Sequence, residues 1–232
     1  MSELTRLSPG DAMSAEAAEV ARVLTEDIIF ARIGPGVRLI EDNLITRFGV
    51  TRHVIRQGLL ELVRTGIAVR ERNKSVTVRT VTPREVRQLY EVRELLQRHA
   101  AMMIPLPAPA SLIERLEQIH EEYAKHLRAR NFSGVHAAND AYHLTMFGAC
   151  DNEHLVASIA HYMQLTLPVR ANKTADVEHA QASERDHHMM IQLLKGTDRW
   201  VLAQACIDHL QGPKDKYLQA AGGEASVQRA AW

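Results

Sequence analysis

Residues 34–79 are cut into short pieces by residues that helices do not tolerate. Gly34-Pro35 ends an upstream helix whose apolar positions Ala17, Val20, Ala21, Leu24 and Ile28 recur at helical spacing. Gly49 ends a second helix near 42–48, and Gly66 stops a third over 52–64, which Thr51 caps. Between the first two helices, "VRLIED" reads as a short extended piece. Beyond Gly66 the period changes to alternation. "IAVRE" and "VTVR" read as two strands joined at Asn73-Lys74, a β-hairpin.

Helix, helix, turn, helix, hairpin is the outline of a winged helix-turn-helix, and it fills residues 1–80. Beyond it no strand signal follows. Thr82 caps a helix, Pro83 takes its first position and Glu85 completes a capping box. Helical spacing predicts helices over about 83–104, 112–130, 133–149, 152–167, 184–195 and 199–211, with Ser111 and Glu114 forming a second capping box. "IPLPAPA" and "NKTADVEHAQA" are the expected loops. Gly212-Pro213 is expected to stop the last long helix, leaving a tail from about 213. Short connections between helices imply an antiparallel bundle over 81–232. The expected fold is therefore mainly α: an N-terminal winged helix-turn-helix followed by an antiparallel all-α bundle.

Net charge is zero, yet eight Lys/Arg against two Glu between Asn43 and Arg79 give that stretch an excess of six positive charges. A basic segment on a neutral chain suggests one surface built for a polyanion. Val54, Ile55, Leu59 and Leu62 form the buried stripe of the 52–64 helix. Arg52 and Arg56 lie one turn apart, away from much of it. A helix entering the DNA major groove needs this layout, because arginine pairs bidentately with guanine. The DNA-contacting candidates are Thr51, Arg52, His53 and Arg56 on the helix, with Arg72 and Lys74 at the hairpin tip. No apolar run reaches membrane-helix length and no signal peptide is evident. Cys150 and Cys206 fit no paired motif and read as core residues in a reducing compartment, so the expected location is cytoplasmic.

The second half contains an anomaly. In "NDAYHLTMF", Asn139 and His143 share a helix face with Met146 and Phe147. His187 shares a stripe with Met190, Ile191 and Leu194, while His188 is rotated about 100° away. His209 follows Leu202, Ala205 and Cys206 on the inner face of the last helix. Three helices thus aim one imidazole each at the bundle core. A polar core is one reading. A divalent metal is the other, since neutral imidazole is the commonest ligand for such ions and bundle cores often house them. Zinc or nickel held by His143, His187 and His209, with Asn139 one turn from His143, would keep positions open for water or a ligand. Arg93 points inward between Leu89, Tyr90 and Leu96, and suits an effector carboxylate or a structural ion pair. An open metal position also fits a metal-dependent hydrolase, although no H-E-x-x-H, G-x-S-x-G or P-loop is present.

"PGVRLIEDNLITRFGVTRHVIRQGLLELVRTGI" resembles the winged helix of GntR-type bacterial transcription regulators. The likeness runs through Pro35-Gly36, Leu39, Glu41, Leu44, Phe48-Gly49-Val50, Thr51-Arg52, Arg56, Leu59 and Gly66. The helical remainder resembles the FCD ligand-binding domain of the FadR subfamily. Val54, Gly58, Asp42 and Ser75 depart from residues common in the family at those places. The resemblance implies a homodimer on a pseudo-palindromic double-stranded DNA operator, and a repressor released by a small effector such as a carboxylate. It also implies metal at Asn139 and His143 as "D/N-x-x-x-H", at His187 with Asp186 beside it, and at His209.

Overall fold

A computed structural model describes residues 13–70, 75–174 and 177–229. The chain divides into two compact units, residues 1–80 and 81–232. The wing tip with Arg72 and Lys74 lies outside the described residues.

In the first unit, α1 (Ala15–Ile29), α2 (Glu41–Phe48) and α3 (Arg52–Arg64) pack around Leu24, Ile55 and Leu62. Ser14 caps α1 by accepting from Ala17 N, and Thr51 caps α3 by accepting from Val54 N. Gly49 ends α2 at φ 65°, a left-handed conformation that a side chain would strain. The sheet has three antiparallel strands in the order β1 (Arg38–Leu39), β3 (Val76–Val78), β2 (Ala68–Arg70). The hairpin is as expected. The extended "VRLIED" piece adds a strand, because Leu39 pairs with Val76 and buries its side chain there.

Gly58 sits where α3 crosses α1. A Cβ at that position would lie 2.9 Å from Val20 Cγ1 and 3.2 Å from the Ala17 carbonyl oxygen. The glycine costs α3 about 1 kcal/mol of helix propensity against alanine. In return, the two helices approach more closely than a methyl group would permit.

The second unit is a helical bundle of α4 (Pro83–Met103), α5 (Ala110–Arg128), α6 (Phe132–Gly148), α7 (Glu153–Leu165), α8 (Leu167–Thr174), α9 (Val177–Leu194) and α10 (Arg199–Arg229). Its core gathers Tyr142, Met146, Phe147, Ile159, Met163, Met190 and Leu202. Thr82 and Pro83 open α4 as expected, with Thr82 accepting from Glu85 N at 3.2 Å.

Four expectations need correction. The Ser111 capping box does not form: α5 begins at Ala110, and the Pro109 carbonyl accepts from Leu112 N and Ile113 N. The loop expected over 172–182 is not a plain loop, because its first residues close α8. The helix expected at 184 already starts at Val177, where Tyr123 donates to the Ala180 carbonyl at 3.0 Å. Pro213 does not stop α10. Beyond it, Tyr217 and Leu218 pack on Val81, Val86, Leu89 and Tyr90, and Tyr217 donates to the Val81 carbonyl at 2.6 Å. This docking outweighs the roughly 3 kcal/mol that an internal proline costs a helix. Among the described residues, no helix is long and apolar enough to cross a membrane.

Candidate functional site

On the first unit, Thr51, Arg52, His53 and Arg56 are all exposed on the N-terminal half of α3. The arginines are not free. Arg52 pairs with Glu41 at 3.2 Å and Asp42 at 2.6 Å, and Arg56 Nε pairs with both Glu41 oxygens at 3.0 and 3.1 Å. Arg47 pairs with Asp27 and Arg64 with Glu61, so much of the basic excess is internally compensated. Arg70 lies exposed on β2.

On the second unit, α6, α9 and α10 bring His143, His187 and His209 together. His143 Nε2 lies 3.2 Å from His209 Nε2 and 3.4 Å from His187 Nε2. Ligands arranged tetrahedrally at the usual zinc–nitrogen distance stand about 3.3 Å apart, so this spacing matches a shared ion. His188 is exposed, as its rotation on the helix requires.

Several contacts fix the rings. His187 stacks on Tyr142 with centroids 4.2 Å apart, and the Tyr142 hydroxyl donates to the His187 carbonyl at 2.9 Å. His209 Nδ1 lies 3.0 Å from Asp186 Oδ2. A carboxylate there holds Nδ1 protonated and leaves Nε2 as the lone-pair donor. His143 and His187 are held well below the ordinary imidazole pKa, first by burial and then by neighbouring imidazoles. They are neutral donors at physiological pH. Three imidazole nitrogens that turn their lone pairs to one point repel one another unless a proton or a cation lies between them, and one proton cannot serve all three well. The donor set therefore fits a divalent metal.

A cavity of about 30 Å³ adjoins the cluster, lined by Arg93, Asn139, His143, Arg170 and His209 among others. That volume holds about two waters, so a metabolite enters only if the walls move. Asn139 faces this cavity, with its amide nitrogen donating to Asp140 Oδ1 at 3.3 Å. Arg93 is buried as expected. It donates to Thr166 Oγ1 at 3.0 Å, while its Nε has no partner among the described residues. Burial pulls its pKa down to about 10, so it stays charged at neutral pH.

The second buried guanidinium, Arg170, was not anticipated. It donates to Asp140 Oδ1 at 2.7 Å and to the Met163 carbonyl at 3.1 Å. Burial alone would raise the Asp140 carboxyl, but Arg170, His136 and Asn139 together outweigh that and hold it below the usual carboxylate value. Met163, Thr166 and Arg170 follow one another at i, i+3 and i+7, the signal by which the sequence could have shown Arg170 facing inward.

The chain matches the FCD domain family over residues 88–212 and the gntR family of bacterial regulatory proteins over residues 16–78. It is 24% identical to an uncharacterized HTH-type transcriptional regulator, YdhC, of Bacillus subtilis, over 75% of this chain and 79% of that protein. It is 22% identical to the HTH-type transcriptional repressor RspR of Escherichia coli, over 89% and 90% of the two chains. Two solved structures share the fold. Escherichia coli McbR/YncC aligns with a TM-score of 0.69 at 17% identity, over 92% of this chain and 100% of that one. A putative GntR regulator from Rhodococcus aligns with a TM-score of 0.67 at 18% identity, over 90% and 99%. These matches give no support to a hydrolase. The winged helix-turn-helix and the helical domain together make this chain a bacterial transcription regulator, not an enzyme, of the GntR family and its FadR-like FCD subfamily.

Proposed function

We propose that the protein is a ligand-responsive repressor in which a divalent metal at His143, His187 and His209 holds a small anionic effector. The observation that carries this reading is the convergence of three Nε2 atoms beneath two buried guanidiniums, Arg93 and Arg170. When bound, the metal supplies a Lewis-acid position for a carboxylate or phosphate oxygen. Arg93 then offers a charge-assisted hydrogen bond to the same anion. Asn139 lines the cavity from the turn before His143 and is the fourth candidate ligand.

Entry of an effector into so small a cavity displaces its walls. Leu210 and Pro213 of α10 are among them, and the next turn of α10 holds the Val81 carbonyl through Tyr217. The far end of that helix is thereby tied to the residue where the second unit begins. Effector binding would change which arrangement of the DNA-reading heads is favoured.

The proposed assembly is a cytoplasmic homodimer placing one α3 in each half-site of a pseudo-palindrome. Leu95 on α4 and Trp200 on α10 expose 70% and 68% of their surface, apolar area that the partner would cover. The repressor sign is supported by the Escherichia coli relative named as a repressor.

The test is elemental analysis of full-length protein, stripped and replenished with zinc or nickel, with a panel of di- and tricarboxylates added while DNA binding is followed. One ion per chain and carboxylate-dependent release from DNA are expected. A replenished protein without metal would overturn the reading.

A further inference from the structure

The two arginines at the start of α3 are held in different ways. Glu41 grips Arg56 at Nε with both carboxylate oxygens. Its terminal fork, NH1 and NH2, has no partner among the described residues. That fork is the part of the side chain that can meet guanine O6 and N7. Arg52 is the reverse: its NH1 goes to Glu41 Oε2 at 3.2 Å and its NH2 to Asp42 Oδ1 at 2.6 Å, so its fork is occupied.

Both acids sit at the N-terminus of α2, where the helix dipole favours negative charge and α2 fixes their position. Glu41 is the more enclosed, with 24% of its side chain exposed against 73% for Asp42. Its carboxyl is held below the ordinary value, first by the hydrogen bond from Arg56 and only lastly by Arg52. Glu41 thus belongs mainly to Arg56, while the more weakly held Asp42 masks Arg52.

We propose that Asp42 is a specificity-determining residue. It closes the fork of Arg52 by holding NH2 while Glu41 touches NH1, so that Arg56, oriented by Glu41, reads the base, and Arg52 engages DNA only when a phosphate displaces Asp42. Exposed ion pairs are weak and salt-screened. The mask is therefore tunable by ionic strength and does not abolish binding. It lowers affinity for arbitrary DNA more than for a sequence that offers Arg56 its guanine.

The inference rests on α3 being the DNA-reading helix, and the experiment separates the two. Full-length Asp42→Asn, Arg56→Ala and Arg52→Ala, the last in both the parent and the Asp42→Asn background, are compared on a fixed random-sequence duplex across a salt series. Selection from a random duplex pool reads the preferred bases, and thermal melts check folding. Asp42→Asn should bind the fixed duplex about fivefold more tightly, the range set by an ion pair of about 1 kcal/mol. Its log K against log salt should steepen by about 0.9, the mark of one more phosphate contact. Both gains should vanish in Asp42→Asn/Arg52→Ala. Arg56→Ala should erase a guanine from the selected sequence.

If the gain from Asp42→Asn persists without Arg52, Asp42 acts only by repelling phosphate and the mask is overturned. Loss of the guanine in Arg56→Ala would still keep α3 at the DNA. If neither Asp42→Asn nor Arg56→Ala alters binding or selection, the inference and the α3 reading fall together.

Discussion

His143 Nε2 and His209 Nε2 stand 3.2 Å apart although 66 residues separate them along the chain. No local pattern produces such a contact. It exists because α6 and α10 each turn one imidazole toward the same point. Removing either ring should lose the ion. For His143→Ala and His209→Ala we expect metal content near zero after replenishment, and a loss of stability reaching about 2.7 kcal/mol where the parent is assayed at a hundred times its dissociation constant. His188→Ala, on the exposed side of the same helix as His187, should keep the ion and the stability. Loss of metal in His188→Ala with retention in His187→Ala would refute the facing argument.

The metal-free protein should be acid-labile. His143 and His187 are held neutral by burial in the folded state, whereas in the unfolded chain each takes a proton below about pH 6.5. Between that pH and their lower folded values, the unfolded state binds more protons, so stability falls as pH falls. Urea midpoints of stripped protein should be flat above pH 7 and decline below about pH 6.5, with a shallower decline in His143→Gln/His187→Gln. Equal slopes in the parent and the double variant would show that other groups govern acid unfolding.

Asp140 and Arg170 form a buried pair at 2.7 Å, with only 19% and 8% of their side chains exposed. Replacing one partner leaves the other charged and buried. Asp140→Asn should cost about 3 kcal/mol or more in chemical denaturation. Asp140→Asn/Arg170→Met should recover most of it, since methionine at 170 leaves no buried charge in need of a partner. A double variant as unstable as the single one would mean that Arg170 works through the Met163 carbonyl instead.

Gly58→Ala should destabilise the first unit in spite of alanine's better helix propensity. The new methyl meets the β-branched Val20 at 2.9 Å and the Ala17 backbone at 3.2 Å, and neither yields easily. Overpacking of this kind costs about 1–3 kcal/mol, against a gain of about 1. Gly58→Ala/Val20→Ala should restore the parent melting temperature. A single variant that melts higher than the parent would show that α1 gives way.

The features legible in the sequence are those whose causes are local. Thr51, Gly49 and Gly66 set the boundaries of α2 and α3 through their own backbone and cap chemistry. His187 was separable from His188 because a helix turns about 100° per residue. What escaped the sequence depends on partners far along the chain. Leu39 became a strand only by meeting Val76. Arg170 acquired its role through Asp140, 30 residues away. The ion pairs that tie Arg52 and Arg56 to α2 span 10 to 15 residues across a turn, so counting charges exposed the basic excess but not its internal compensation.

Pro213 illustrates the same limit and leads to the last prediction. Proline removes one helical hydrogen bond and crowds the preceding turn, which is why the chain reads as ending its helix there. In the structure α10 continues, because Tyr217 and Leu218 dock on the start of α4. Removing only the hydroxyl, in Tyr217→Phe, deletes the 2.6 Å bond to the Val81 carbonyl and keeps the ring. The net cost should be about 1 kcal/mol, and the change should be local: faster amide exchange over 214–221 and near Val81, with metal content unchanged. Because His209, Leu210 and Pro213 line the cavity on the same helix, zinc added to stripped parent protein should slow exchange near Val81, and the effect should shrink in Tyr217→Phe. Equal slowing in parent and variant would show that the end of α10 does not carry the signal from the histidines to the start of the second unit.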